Sequence, residues 1–309
     1  MKIKIPEWGR QMKTVELDPS TPRLITAGCS FSIKPFDRKK YPHAFDDVGA
    51  ISWPEHLSNK MDRVLIDWAK EGSGSGYAHR VIIDSVLENL GSDLIVVVGW
   101  SSVGRWETFT NFNAEFREEM FYDMRASEEI NQNKFYGLKE YKQYSLNHTW
   151  FQDHLAKLNY IISLGGFLEF HNIKYLFFNA FDPLDGWKEG TGYYGKSESD
   201  PAERNKKIDS LFIDGSKDPN WIEDLEYDSG ELVLRRATDY IKNNLNWFDK
   251  IQIEIGAQEG YRNEIITGNF NNPGKDTLRK KEEYFLDGWH PSPMAHKEWS
   301  EMLYNEICN

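Results

Sequence analysis

Residues 24–32 read LITAGCSFS, an apolar run that stops abruptly at Gly28, Cys29 and Ser30. The run is short and rich in branched side chains, which marks a buried strand rather than a helix. A strand that ends in a glycine-containing turn holds one small polar side chain out at the edge of a sheet. Nucleophiles are commonly delivered in that way, so Ser30 is the first candidate. The same turn could use Ser30 only as a helix N-cap. Cys29 reads as a small buried thiol facing the layer beneath the strand rather than as a reactive group.

Three further runs have the same character: RVLIDWA (63–69), DLIVVVGW (93–100) and KYLFFNAF (174–181). Their apolarity is continuous rather than alternating, which predicts strands covered on both faces and therefore a parallel sheet. Helices are predicted between them at 53–61, 77–90 and 148–171. In the last, Phe151, Leu155, Leu158, Ile161, Ile162 and Leu168 recur at helical spacing. Strand and helix in alternation imply right-handed crossovers and a doubly wound α/β fold, with ligands beyond the carboxyl ends of the strands. FDKIQIEIGA (248–257) is the candidate fifth strand, and its charged neighbours suit an edge or an insertion hairpin. Two polar stretches, 105–147 and 182–230, read as insertions on one domain spanning residues 1–309 and as candidate substrate-binding walls. The first is predicted partly helical around 113–131.

Charge and composition narrow the partners. The 309 residues carry a formal net charge of -12, which opposes nucleic-acid binding and favours small or neutral ligands. Cys29 and Cys308 stand at opposite ends of the chain, so neither a disulfide framework nor a metal-ligand spacing is present. The acidic run WIEDLEYDSGE (221–231) lacks the spacing of a calcium loop and reads as a solvated face, so no metal or cofactor is expected. The N-terminus has no apolar core of a signal peptide, and no stretch approaches the roughly 20 apolar residues of a membrane span. The expectation is a soluble, cytoplasmic protein without a membrane partner. Aromatic residues make up 14% of the chain, and several fall in polar segments such as GWKEGTGYYG (186–195). Either packing beneath long loops or a surface that stacks on a ligand accounts for them.

The chain closes with FLDGWHPSPMAHKEWSEMLYNEI (285–307). Asp287 and His290 are three residues apart, close enough to set a carboxylate beside an imidazole. Pro291 disfavours a helical His290 and can open the following helix, where Trp299, Met302, Leu303 and Ile307 form a packing stripe. His296 is assigned to packing or to the surface, pointing away from the site. Taken together, Ser30 could attack an acyl carbon, His290 take its proton, and Asp287 hold the imidazole in the required tautomer. Donors for the developing oxyanion are available from Gly72 in KEGSGSG and Ser101 in SSVGRWE, each just past a strand. Arg105 and Glu107 follow the third strand, either as an ion pair shaping the pocket or as a plain solvated pair. Two rival motifs lose their defining residue. Tyr77 interrupts a dinucleotide-type glycine pattern, and Ser32 stands where a Gly-x-Ser-x-Gly elbow needs its second glycine.

In order along the chain, GCSFS, the Gly72 turn, GWSS and DGWHP resemble the four blocks of the GDSL or SGNH hydrolases. The likeness is greatest to the divergent members found in bacteriophage genomes. It implies a flavodoxin-like three-layer α/β/α sandwich with a mainly parallel sheet, hydrolysing esters without a metal. Ser30 matches the nucleophile, and its N–H the first oxyanion donor. Gly72 matches the second-block glycine, and Asp287 and His290 the last block. Two positions depart from the pattern: Ser101 replaces the third-block Asn, and Cys29 the first-block Asp. A hydroxyl still donates a hydrogen bond, with a less fixed direction than an amide. The implied activity is that of a serine esterase on a small-molecule or glycan ester, with glycan deacetylation preferred. The other expectation is a non-catalytic carbohydrate-binding or virion protein that keeps the fold.

Overall fold

The structure, a computed structural model, describes residues 2–7, 11–33, 51–70, 73–101, 103, 150–180, 184–185, 220–252 and 290–309. Its centre is a five-stranded sheet in which every neighbouring pair is parallel. In chain order the elements are β1 (Lys2–Glu7), β2 (Gln11–Glu16), β3 (Arg23–Ala27), α1 (Trp53–Met61), β4 (Val64–Asp67), α2 (Ser75–Glu88) and β5 (Leu94–Trp100). There follow α3 (Trp150–Phe170), β6 (Lys174–Asn179), α4 (Asn220–Asn244), β7 (Trp247–Ile251) and α5 (Pro293–Cys308). The strands lie side by side as β4-β3-β5-β6-β7.

That order reverses direction between β3 and β5, which is the switch point of a flavodoxin-like sheet. β3, β4, β5 and β6 were predicted from continuous apolarity, and the burial of the central pair explains why. All of β3 and all of β5 are buried, because helices cover both faces. On one face α2, α3 and α4 supply Val81, Ile82, Val86, Leu158, Ile161, Leu164, Leu168, Leu234 and Ile241. On the other, α1 and α5 supply Trp53, Leu57, Trp299, Leu303 and Ile307. The result is the three-layer α/β/α arrangement. Phe178 joins the second face's aromatics, with its ring 5.6 Å from Trp53 and 5.1 Å from Trp299.

β7 is an edge strand, one of the two roles anticipated for 248–257, and its pairing with β6 is irregular. Phe248 pairs with Phe178, but the next pair is Ile251 with Asn179, so the exposed Asp249 and Lys250 bulge out. Three features differ from expectation. β1 and β2 form a separate antiparallel hairpin where no strand is predicted. α4 begins at Asn220, inside the stretch read as an insertion. α5 opens at Pro293, with Ser292 as its cap accepting from the Ala295 N–H at 3.3 Å, so Pro291 precedes the cap rather than starting the helix. The first insertion, 105–147, and the part of the second between 186 and 219 lie outside the described residues, as does the predicted helix around 113–131.

Candidate active site

Beyond Ala27 the chain turns through Gly28 and Cys29 into a single 3-10 turn, Ser30–Ser32. Two backbone bonds close it: Ser32 N–H to the Cys29 carbonyl at 2.9 Å and Ile33 N–H to the Ser30 carbonyl at 3.4 Å. Gly28 is required by close approach. A Cβ there would lie 2.1 Å from Ser32 Oγ, so any side chain would force the turn open. Gly99, on the neighbouring strand, is crowded too, with its Cβ position 2.9 Å from the Phe178 ring. Cys29 is wholly buried, as read from the sequence, whereas Ser30 keeps 9% of its surface.

The loop after β4 is tied to the same turn. Ser73 Oγ donates to the Gly28 carbonyl at 3.0 Å, and the Lys70 N–H reaches that oxygen at the same distance. Gly72 itself lies outside the described residues, yet Lys70 before it and Ser73 after it are fastened to the strand end that carries Ser30. Ser101 follows β5 directly and is buried. Because β3 and β5 pair in register up to Ala27 with Val98, Ser30 and Ser101 extend from adjacent strand ends.

From the far end of the chain comes His290, half-buried, its ring centroid 5.8 Å from that of Phe31. The C-terminal block therefore meets the residue next to Ser30. Asp287, Arg105 and Glu107 lie outside the described residues. His296 is buried, and its Nδ1 accepts the Trp53 N–H at 3.1 Å. It thereby pins the first turn of α5 to the first turn of α1, which explains its burial as packing. Burial, followed by the nearby His56 and His290, drives its pKa down to about 3, so the ring stays neutral. His56, whose Nε2 is buried without a partner, is also pushed down, first by burial and then by the Lys297 charge.

Two groups near the strand ends were not singled out from the sequence. Asp67, at the end of β4, accepts from Thr26 Oγ1 at 2.7 Å and the Ala69 N–H at 3.0 Å. Burial outweighs those bonds and pushes its carboxyl up to about 6. Gln252, immediately after β7, is wholly buried, and its Nε2 donates to the Phe31 carbonyl at 2.8 Å. No sequence motif marks Gln252, because the contact joins distant segments of the chain. Among the described residues no group of His, Cys, Asp or Glu could hold a metal ion, and no helix is long and apolar enough to cross a membrane.

No family profile and no curated protein matches the chain. Solved structures of similar shape include a GDSL-like lipase from Bacteroides thetaiotaomicron, 11% identical with a TM-score of 0.39, covering 92% of this chain and 87% of that one. Another is a catalytic mutant of an acetylxylan esterase from Geobacillus stearothermophilus, 13% identical, TM-score 0.39, with 93% and 94% covered. A third is an α/β hydrolase enzyme from the metagenome of Lake Arreo, 9% identical, TM-score 0.40, with 94% and 96% covered. Likeness at this level carries no argument about the site, and the fold assignment rests on the strand order above.

Proposed function

We propose that the protein is a serine esterase acting through an acyl-enzyme. The observation that carries this reading is the meeting of the Ser30 turn and the His290 segment, through the Phe31 and His290 rings, at the switch point of a parallel sheet. In the first half-reaction, Ser30 Oγ bonds to the acyl carbon while His290 takes its proton, and collapse of the tetrahedral adduct expels the alcohol, which receives that proton. Water then attacks the acyl-enzyme by the same route, releasing the acid and restoring Ser30. Asp287, three residues before His290, is assigned to orient the imidazole. The N–H groups of Ser30 and Gly72 and the hydroxyl of Ser101 are assigned to the oxyanion.

The substrate class we favour is an acetylated glycan, because aromatic residues crowd the polar segment at 186–195 and can stack on sugar faces. The replacement of an amide by Ser101 favours one rival, a non-catalytic glycan-binding or virion-associated protein. A burst assay with p-nitrophenyl acetate on wild type and Ser30→Ala, with mass spectrometry after fluorophosphonate labelling, separates the two. The esterase reading expects a Ser30 adduct and turnover lost in a folded variant. Neither adduct nor turnover on folded wild type would overturn it.

A further inference from the structure

We propose that Gln252 is a positioning residue for the candidate nucleophile, holding the Ser30 turn and the His290 contact in one geometry through the Phe31 carbonyl. The proposal rests on the reading of Ser30 as nucleophile. The Phe31 carbonyl lies in the middle of the 3-10 turn, so a donor that reaches it from a distant segment constrains the backbone between Ser30 and Ser32. Gln252 Nε2 is that donor, at 2.8 Å. Phe31 is itself 1% exposed and faces His290, so one side-chain amide fixes the residue that adjoins both members of the proposed pair.

Two observations separate this from ordinary packing. The other half of the amide, Gln252 Oε1, is buried without a hydrogen-bond partner among the described residues. An apolar side chain of similar size would avoid that penalty, so the position gains from glutamine only through its donor. Secondly, the bulge of Asp249 and Lys250 interrupts the pairing of β7 with β6 immediately before Ile251 and Gln252. Bulges re-aim the residues that follow, and this one delivers a wholly buried amide to the carboxyl edge of the sheet, where the Ser30 turn lies.

The test compares wild type, Gln252→Leu and Gln252→Glu by the rate of fluorophosphonate labelling at Ser30, by kcat and KM on p-nitrophenyl acetate, and by hydrogen exchange of residues 28–33. Gln252→Leu should slow labelling and kcat on the order of 10- to 100-fold with KM little changed. Exchange at Ser32 and Ile33 should quicken while β5 stays protected. Gln252→Glu can donate only when its carboxyl is protonated, so its rate relative to wild type should recover as pH falls. Packing alone would confine that pH dependence to stability and leave the labelling rate per folded molecule flat. A Leu variant with wild-type labelling and unchanged protection at 28–33 overturns the proposal. If Leu does not fold, the pH dependence of the Glu variant decides. If wild-type Ser30 is not labelled, the esterase reading fails separately, and exchange at 28–33 alone decides whether Gln252 holds the turn.

Discussion

The two ends of β3 are equally buried and are built in opposite ways. At its start, Arg23 is wholly buried and donates to Asn89 Oδ1 and to the Asp18 carbonyl, while Asn89 donates in turn to the Ser85 carbonyl. Arg63 ties the Arg23 carbonyl to the Asp93 carbonyl and pairs with the Asp93 carboxylate at 2.7 Å. Arg23 Nε is the one atom of that side chain left without a partner. Past the other end of β3, Ser32 Oγ, Asn179 Oδ1 and Gln252 Oε1 are all buried and unpartnered around the carboxyl edge. Native interiors leave few such groups, and others lie elsewhere among the described residues, at Arg23, Trp53, His56 and Trp299; those at the carboxyl edge differ in lying by the strand ends from which Ser30 is carried. The amino edge is held by charged hydrogen bonds; the carboxyl edge carries the proposed site.

This contrast predicts that substitutions at the carboxyl edge change rate and that those at the amino edge change stability. The largest effect is expected at Ser101. Its replacement by Ala should lower kcat about 100- to 1,000-fold with the melting temperature unchanged, as measured on p-nitrophenyl acetate and by calorimetry. Unaltered kcat would remove Ser101 from the oxyanion assignment. Gly28→Ala should cost about 1–3 kcal/mol and also reduce Ser30 labelling, because the added methyl meets Ser32 across the turn. Loss of stability without loss of labelling would show that the turn can shift freely.

At the other edge, Arg23→Met should destabilise by about 1–3 kcal/mol, leaving Asn89 and the Asp18 carbonyl without their donor, while kcat per folded molecule stays as in wild type. A fall in kcat would deny the division between the edges. The smallest effect is in pH dependence. His296 has a folded pKa near 3 against 6.5, so the unfolded chain takes a proton that the fold refuses, and its contribution to stability is lost as pH falls from 6.5 towards 3. Asp67 runs the other way: raised from 3.8 to about 6, it holds a proton in the fold that the unfolded chain releases, so its contribution grows as pH falls from 6 to 3.8. His56 and His79, also held down by burial, add to the loss at His296, so urea midpoints of wild type should fall between pH 6 and 4. Asp67→Asn should fall more steeply than wild type and His296→Gln less steeply. Parallel curves for all three would contradict the pair.

The strands β3 to β6 and helices α1 to α3 were readable because each is a local pattern, a continuous apolar run or an apolar stripe of helical period. The same logic was available for two elements that went unread. Ile3 and Ile5 alternate with Lys2 and Lys4 as a strand should, and Leu234, Ile241 and Leu245 recur at helical spacing through and beyond α4. At the candidate site, Ser30 and His290 stand out in the sequence as motif residues, since a strand end and a residue before proline advertise themselves locally. Gln252 and the burial of His296 against Trp53 were not, because no spacing in the chain announces a contact between its distant parts.

By itself, then, the sequence determined the four strands β3 to β6, that they are parallel, and which small polar residues follow their ends, because those properties follow from side-chain volume and period over a few residues. Only the tertiary structure decided that β4-β3-β5-β6-β7 reverses between β3 and β5, that the C-terminal histidine arrives beside Phe31, and that a bulge turns a glutamine onto the same turn. Those outcomes depend on how helices share two faces of one sheet and on which distant donor reaches a buried carbonyl, and neither exists until the chain has closed on itself.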